Sequence, residues 1–100
     1  MDIKKLEKAN EIKNEIDLYT SALKHTENDI CTTKGVSDKP ISVISISILR
    51  ILNGGETGYS TDNQRKLDFI DANIKPKVVA IIKATLEDAI KDAKKRLEEL

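Results

Sequence analysis

Two apolar stripes with helical spacing, one near each end of the chain, set the first constraint on its fold. From Ile3 to about Ile30, the residues Ala9, Ile12, Ile16, Tyr19, Leu23, Thr26 and Ile30 recur at alternating steps of three and four, which puts them on one seam of a helix. Leu6, Leu18 and Ala22 widen that seam, and Lys13 and Asp17 can pair along the outer side. This predicts a helix over 1–30 that frays beyond Lys24, where His25 to Asp29 have weak helix propensity, with Gly35 closing the region. Val79, Ile82, Leu86, Ala89, Ala93 and Leu100 continue the same steps in the last quarter, broadened by Ile90 and Leu97. A second helix over 76–100 follows. Pro76 suits its first turn, and Glu87 with Lys91 and Asp92 with Arg96 are ordered in the favourable sense for i,i+4 pairs. The small residues Ala80, Ala84, Ala89 and Ala93 would admit another helix closely. Two long stripes with no comparable helix between them predict an antiparallel pair.

The middle of the chain has a different character. Pro40 to Asn53 is rich in β-branched residues and alternates Ile with Ser from Ile44 to Ile48, so 40–53 reads as a strand region. The alternation changes phase at Val43-Ile44 and Ile48-Leu49, as in a bulged strand or one covered on two faces. An Ile-rich run recruited into a buried helix is the alternative by period alone. Residues 54–61 form a Gly-rich turn, since Asn53, Gly54, Gly55 and Gly58 supply positive φ readily. Over 62–74 the chain is a short helix or a returning strand; the match Thr61-Asp62-Asn63-Gln64 to a capping box favours the helix. The long strand then has no second strand in its own chain, and pairing with another copy is the natural way to satisfy its edge. The expected class is therefore α+β, mostly α: a single domain over 1–100 in which two long antiparallel amphipathic helices flank a short β segment, assembled as a homo-oligomer.

Composition narrows the function classes. A chain of 100 residues supports one modest core, and with Tyr19, Tyr59 and Phe69 as its three aromatics the burial must come from aliphatic side chains. Lys plus Arg and Asp plus Glu both number 17, so no net field steers the molecule to nucleic acid or an anionic bilayer. Cys31 is alone, which excludes an intramolecular disulfide and fits a reduced, cytoplasmic setting. The opening Met1-Asp2-Ile3-Lys4-Lys5 leads into a charged helical pattern with no signal-like apolar core. The stretch Ile41 to Leu52 is too short to span a bilayer as a helix. The expectation is a soluble protein without membrane or nucleic-acid partners.

Candidate chemistry is sparse. His25 and Cys31 each occur once, so a zinc site from one chain would need carboxylates to complete it. Helix-end and packing roles suit both residues better. Most acids alternate with Lys in helical runs, where solvated faces account for them. Glu56, in the turn, has no partner acid or base nearby in sequence. No catalytic residue, metal site or cofactor is expected. The best local candidate for ligand binding is the turn: Gly54, Gly55, Gly58, Ser60 and Thr61 can expose backbone N–H groups ahead of a helix N-terminus, an anion-binding arrangement. The competing account is an ordinary turn followed by a helix cap. It is not a phosphate-binding loop of the nucleoside-triphosphatase kind, because the glycine spacing differs and no Lys precedes Ser60. Tyr59 could stack on a base, and Arg50 and Arg65 could clamp a phosphate, completing a nucleotide pocket if the fold brings them together.

A charged helix from Met1 to Ile12, an aliphatic strand, and a helix ending Lys94-Lys95-Arg96-Leu97-Glu98-Glu99-Leu100 together resemble small uncharacterised accessory proteins of phages and prophages. The resemblance spans most of the chain and carries no functional motif. It implies a context of countering host defence, by occluding a host protein or sequestering a nucleotide-like signalling molecule in oligomer-interface pockets. The expected function is thus a non-catalytic oligomeric binding protein. A structural or adaptor coiled coil without a small-molecule ligand is the alternative, and an enzyme ranks third.

Overall fold

The computed structural model describes residues 2–30, 40–58 and 60–100. Among these the order is α1 (Ile3–Glu27), α2 (Val43–Leu52), α3 (Thr61–Phe69), a π-helical segment (Ile70–Ile74) and α4 (Lys75–Glu98). Apart from a single β-bridge residue at Ile41, the described residues contain no extended pairing. The α+β expectation is therefore corrected to an all-α architecture: the run expected as a strand over 40–53 holds α2, and 62–74 is helical throughout. The edge-strand reason for self-association disappears with the strand. The contacts divide the chain into two compact units, Met1–Glu27 with Ile81–Leu100, and Asn28–Ala80.

In the first unit, α1 lies antiparallel to the Ile81–Glu98 part of α4, as two cross-helix ion pairs require: Arg96 meets Glu15 at 2.7 Å and Lys83 meets Glu27 at 2.7 Å. The seam follows the helical period. Ile12 is buried, and Ala9, Ile16, Tyr19, Leu23 and Thr26 are half-buried; on α4, Ala93 is fully buried between half-buried Ala89 and Leu97. The wider stripe is corrected: Leu6, Leu18 and Ala22 are exposed, as is Ile30 beyond the helix. Ala80 and Ala84 are also exposed, so of the four small residues only Ala89 and Ala93 are covered. A pair of helices has only one contact line, too narrow to cover a stripe of more than about 100°.

A charged cluster reinforces this pairing. The Tyr19 hydroxyl donates to Glu15 at 2.7 Å, and Arg96 donates to Glu15 at 2.7 and 3.2 Å and to Asp92 at 3.2 Å. The Arg96 hydrogen bond, seconded by that of Tyr19, holds the Glu15 carboxyl below its ordinary range. Its bond to Glu15 pushes the Tyr19 hydroxyl upward, and the Lys83 hydrogen bond lowers Glu27.

The second unit packs α2 against α3 and the π segment. Its core is Ile41, Leu49, Leu67 and Ile70, flanked by Ile46, Ile48 and Ile74. The α2 run is packed through Leu49 and doubly capped at its N-terminus. Ser42 adopts an extended backbone and accepts from the Ser45 N–H at 3.2 Å, while the Asp29 carboxylate accepts from the Ile44 N–H at 2.8 Å and the Ser42 hydroxyl at 2.6 Å. Both bonds fill donors that a helix leaves open in its first turn. Ser45, fully buried, donates its hydroxyl to Asp71 in the π segment, so a polar side chain sits within the apolar contact without an orphaned group.

The π segment has an identifiable cause. The Lys75 N–H bonds the Ile70 carbonyl, one residue further back than in an α-helix. Pro76 follows immediately; it lacks an N–H and its ring crowds the carbonyl four residues earlier, so a widened turn relieves the conflict. Pro76 therefore lies in the first turn of α4, as expected, with the π segment running into it without a break.

Leu49→Ala should lower unfolding free energy by about 2–5 kcal/mol in urea titration, because Leu49 is wholly buried. Arg96→Gln should lower the melting temperature at neutral pH and flatten its fall in acid. The Glu15 contribution is present above the ordinary carboxyl value of 4.5 and is lost as pH drops through the depressed folded value, so wild-type and variant curves should converge at low pH.

Candidate functional site

The Gly-rich turn begins where α2 ends. Gly54 and Gly55 have φ of 64° and 103°, in the left-handed region that side-chain-bearing residues avoid. Their N–H groups do not point to a free anion site. The Gly55 N–H donates to the Arg50 carbonyl at 2.7 Å and the Gly54 N–H to the Ile51 carbonyl at 3.4 Å, the paired bonds of a Schellman motif closing α2. Two of the donors expected to cradle an anion are thus engaged by the helix they terminate.

The remaining candidate residues are placed as follows. Ser60 is the N-cap of α3 and accepts from the Asn63 N–H at 3.0 Å, so the cap falls one residue before the expected Thr61. Thr61 is the exposed first residue of α3, and Gly58 uses its carbonyl to accept from the Asn63 side chain at 2.6 Å. Arg50 and Arg65 are exposed on α2 and α3, and no ion pair or hydrogen bond of either guanidinium is among those of the described residues. Tyr59 and Cys31, with Gly35, lie outside the described residues.

A polar bridge does form beside the turn, from other residues. Asn53 donates to Asn63 at 2.7 Å and accepts from Lys66 at 2.8 Å, and Lys66 pairs with Asp62 at 3.1 Å. It ties the C-cap of α2 to the first turns of α3, so Lys66 rather than Arg65 is the cation at this turn. The visible clue was the i,i+4 spacing of Asp62 and Lys66; the Asn53 contact depends on tertiary placement. The bridge satisfies its own donors and acceptors, which makes it a structural clasp.

The outward face of α2 is the second feature of this unit. Val43, Ser47, Arg50 and Ile51 are exposed along one helical stripe, with Val43 43% and Ile51 80% accessible, and half-buried Ile44 and Ile46 flank them. Val43 and Ile51 are the apolar members of this stripe, and Ser47 and Arg50 the polar ones. Leu52 and Phe69 add exposed apolar area to the same unit.

Among the described residues there is no group of three or more His, Cys, Asp or Glu able to hold a metal, and no helix long and apolar enough to cross a membrane. A shallow open groove on α4, lined by Thr85, Asp88, Ala89, Lys91, Asp92 and Lys95, contains none of the candidate residues. No protein-family model, curated protein or solved structure matches the chain.

Asp29→Ala should destabilise the protein by about 1 kcal/mol through loss of the α2 cap. Amide hydrogen exchange should locate the loss at Ile44, whose N–H bonds Asp29.

Proposed function

We propose that the protein is a non-catalytic, self-associating helical binding protein that acts by occluding a partner protein, in the manner of phage accessory proteins that counter host defence. The observation that carries this reading is α2, a short, Ile-rich helix that leaves Val43 and Ile51 exposed on its outward face beside Ser47 and Arg50. The polar groups around it support the same view. Ser42, Ser45, Asp29 and Asp71 are engaged in capping and in tying helices together, which leaves them serving the fold rather than poised for proton transfer or nucleophilic attack. Capture of a nucleotide at Gly54 to Arg65 loses ground, because the Gly54 and Gly55 donors close α2.

Native mass spectrometry, before and after denaturation to release small molecules, tests the proposal. A homo-oligomer at tens of micromolar without a stoichiometric small molecule is the expected result. A strictly monomeric species at that concentration would overturn self-association, and a stoichiometric nucleotide mass would replace partner occlusion with sequestration.

A further inference from the structure

We propose that Asn53 and Gly54 form a site of spontaneous deamidation, and that the clasp made by Asn63 and Lys66 sets its rate. The Gly54 backbone nitrogen attacks the Asn53 side-chain carbonyl carbon: the N–Cγ bond forms, the Cγ–Nδ2 bond breaks, and the Gly54 proton leaves with Nδ2 as ammonia. Water then opens the five-membered imide at either carbonyl, giving aspartate or isoaspartate at position 53. Nucleophile and electrophile belong to adjacent residues, so the first step is intramolecular and water is its only later co-reactant.

Three observations select this pair. Of the six asparagines, Asn53 is the one followed by glycine, whose nitrogen has no neighbouring side chain to hinder attack. Beyond its chain neighbours, nothing lies within 4 Å of the place a Gly54 Cβ would occupy, which leaves room for the ring and for water. The Gly54 N–H is also loosely held, reaching the Ile51 carbonyl only at 3.4 Å, beyond the usual range of such bonds.

The resting geometry nevertheless holds the reaction back. Ring closure needs the Asn53 Cβ and the Gly54 nitrogen nearly eclipsed about the Cα–C bond, and at an Asn53 ψ of 13° they are turned well apart. Donation to Asn63 at 2.7 Å and acceptance from Lys66 at 2.8 Å fix the side chain, while the Gly55 bond to the Arg50 carbonyl at 2.7 Å fixes the backbone beside it. Lys66 also polarises the Asn53 carbonyl, which by itself favours attack. The angle decides, because no polarisation helps a nucleophile that points elsewhere. Deamidation therefore runs from the locally opened turn, at a rate that follows the open population. Its products weaken the clasp further. A carboxylate cannot donate to Asn63 and stands at the negative end of α2, and isoaspartate adds a backbone methylene inside the closure of that helix.

The test is peptide-mapping mass spectrometry of the full chain during incubation at neutral pH and physiological temperature. Position 53 should gain one mass unit, with isoaspartate present, ahead of Asn10, Asn14, Asn28, Asn63 and Asn73, and more slowly than in the chain unfolded in guanidinium. Lys66→Met, which keeps the aliphatic stem and removes the ammonium, should speed the gain about threefold to tenfold, the effect of one lost hydrogen bond on the open population. Asn63→Ala should act in the same sense, and unchanged far-UV circular dichroism would verify that both variants fold. An unmodified position 53, or another asparagine reacting first, would overturn the site. A native rate equal to that of the unfolded chain, or no acceleration in either folded variant, would overturn control by the clasp.

Discussion

The first turn of α2 is the point on which the second unit depends. Residues Val43 to Leu52 carry an Ile-rich sequence suited to an extended chain, and a helix there must satisfy backbone donors that have no partner inside it. Ser42 takes one and Asp29, from well before the helix, takes another. With that turn fixed, Leu49 and Ser45 face inward together, and the C-terminal carbonyls meet the two glycines that close the helix. The hydrophobic contact with Leu67 and Ile70 is a consequence of this placement. A long-range carboxylate thus helps to hold, together with the core contact of Leu49, a helix in a segment whose local preference points elsewhere.

The legibility of the sequence follows the same physics. The α1 and α4 seams were readable because apolar residues recur at steps of three and four along both helices, and the buried and half-buried set, Ile12, Ile16 and Tyr19 among them, falls on those steps. The α2 segment was not, because its β-branched residues and its Ile-Ser alternation match the pattern of an extended chain. Its serines add a false signal. Ser45 and Ser47 look equivalent in an alternating Ile-Ser pattern, yet Ser45 is buried with an acceptor at Asp71 and Ser47 is exposed with its hydroxyl folded onto Val43. Only the position of Asp71, 26 residues away, separates them.

The candidate ligand loop met a related limit. Glycines followed by Ser-Thr describe both an anion cradle and a helix-closing turn, and the two differ in which carbonyls the N–H groups reach. Here those carbonyls belong to Arg50 and Ile51. The neighbouring bridge of Asn53, Asn63, Lys66 and Asp62 could not be assembled from sequence, since Asn53 lies 10 residues from Asn63 and 13 from Lys66.

The sparing burial of apolar groups has a thermal consequence. Among the described residues, the buried aliphatic side chains are Ile12, Ile41, Leu49, Leu67, Ile70 and Ala93, while much of each seam keeps contact with water. Unfolding such a chain exposes little new apolar surface, so its heat-capacity increment is small and its stability curve shallow. Enthalpy and entropy of unfolding then change slowly with temperature, the maximum of stability is broad and low, and neither warming nor cooling meets a sharp boundary.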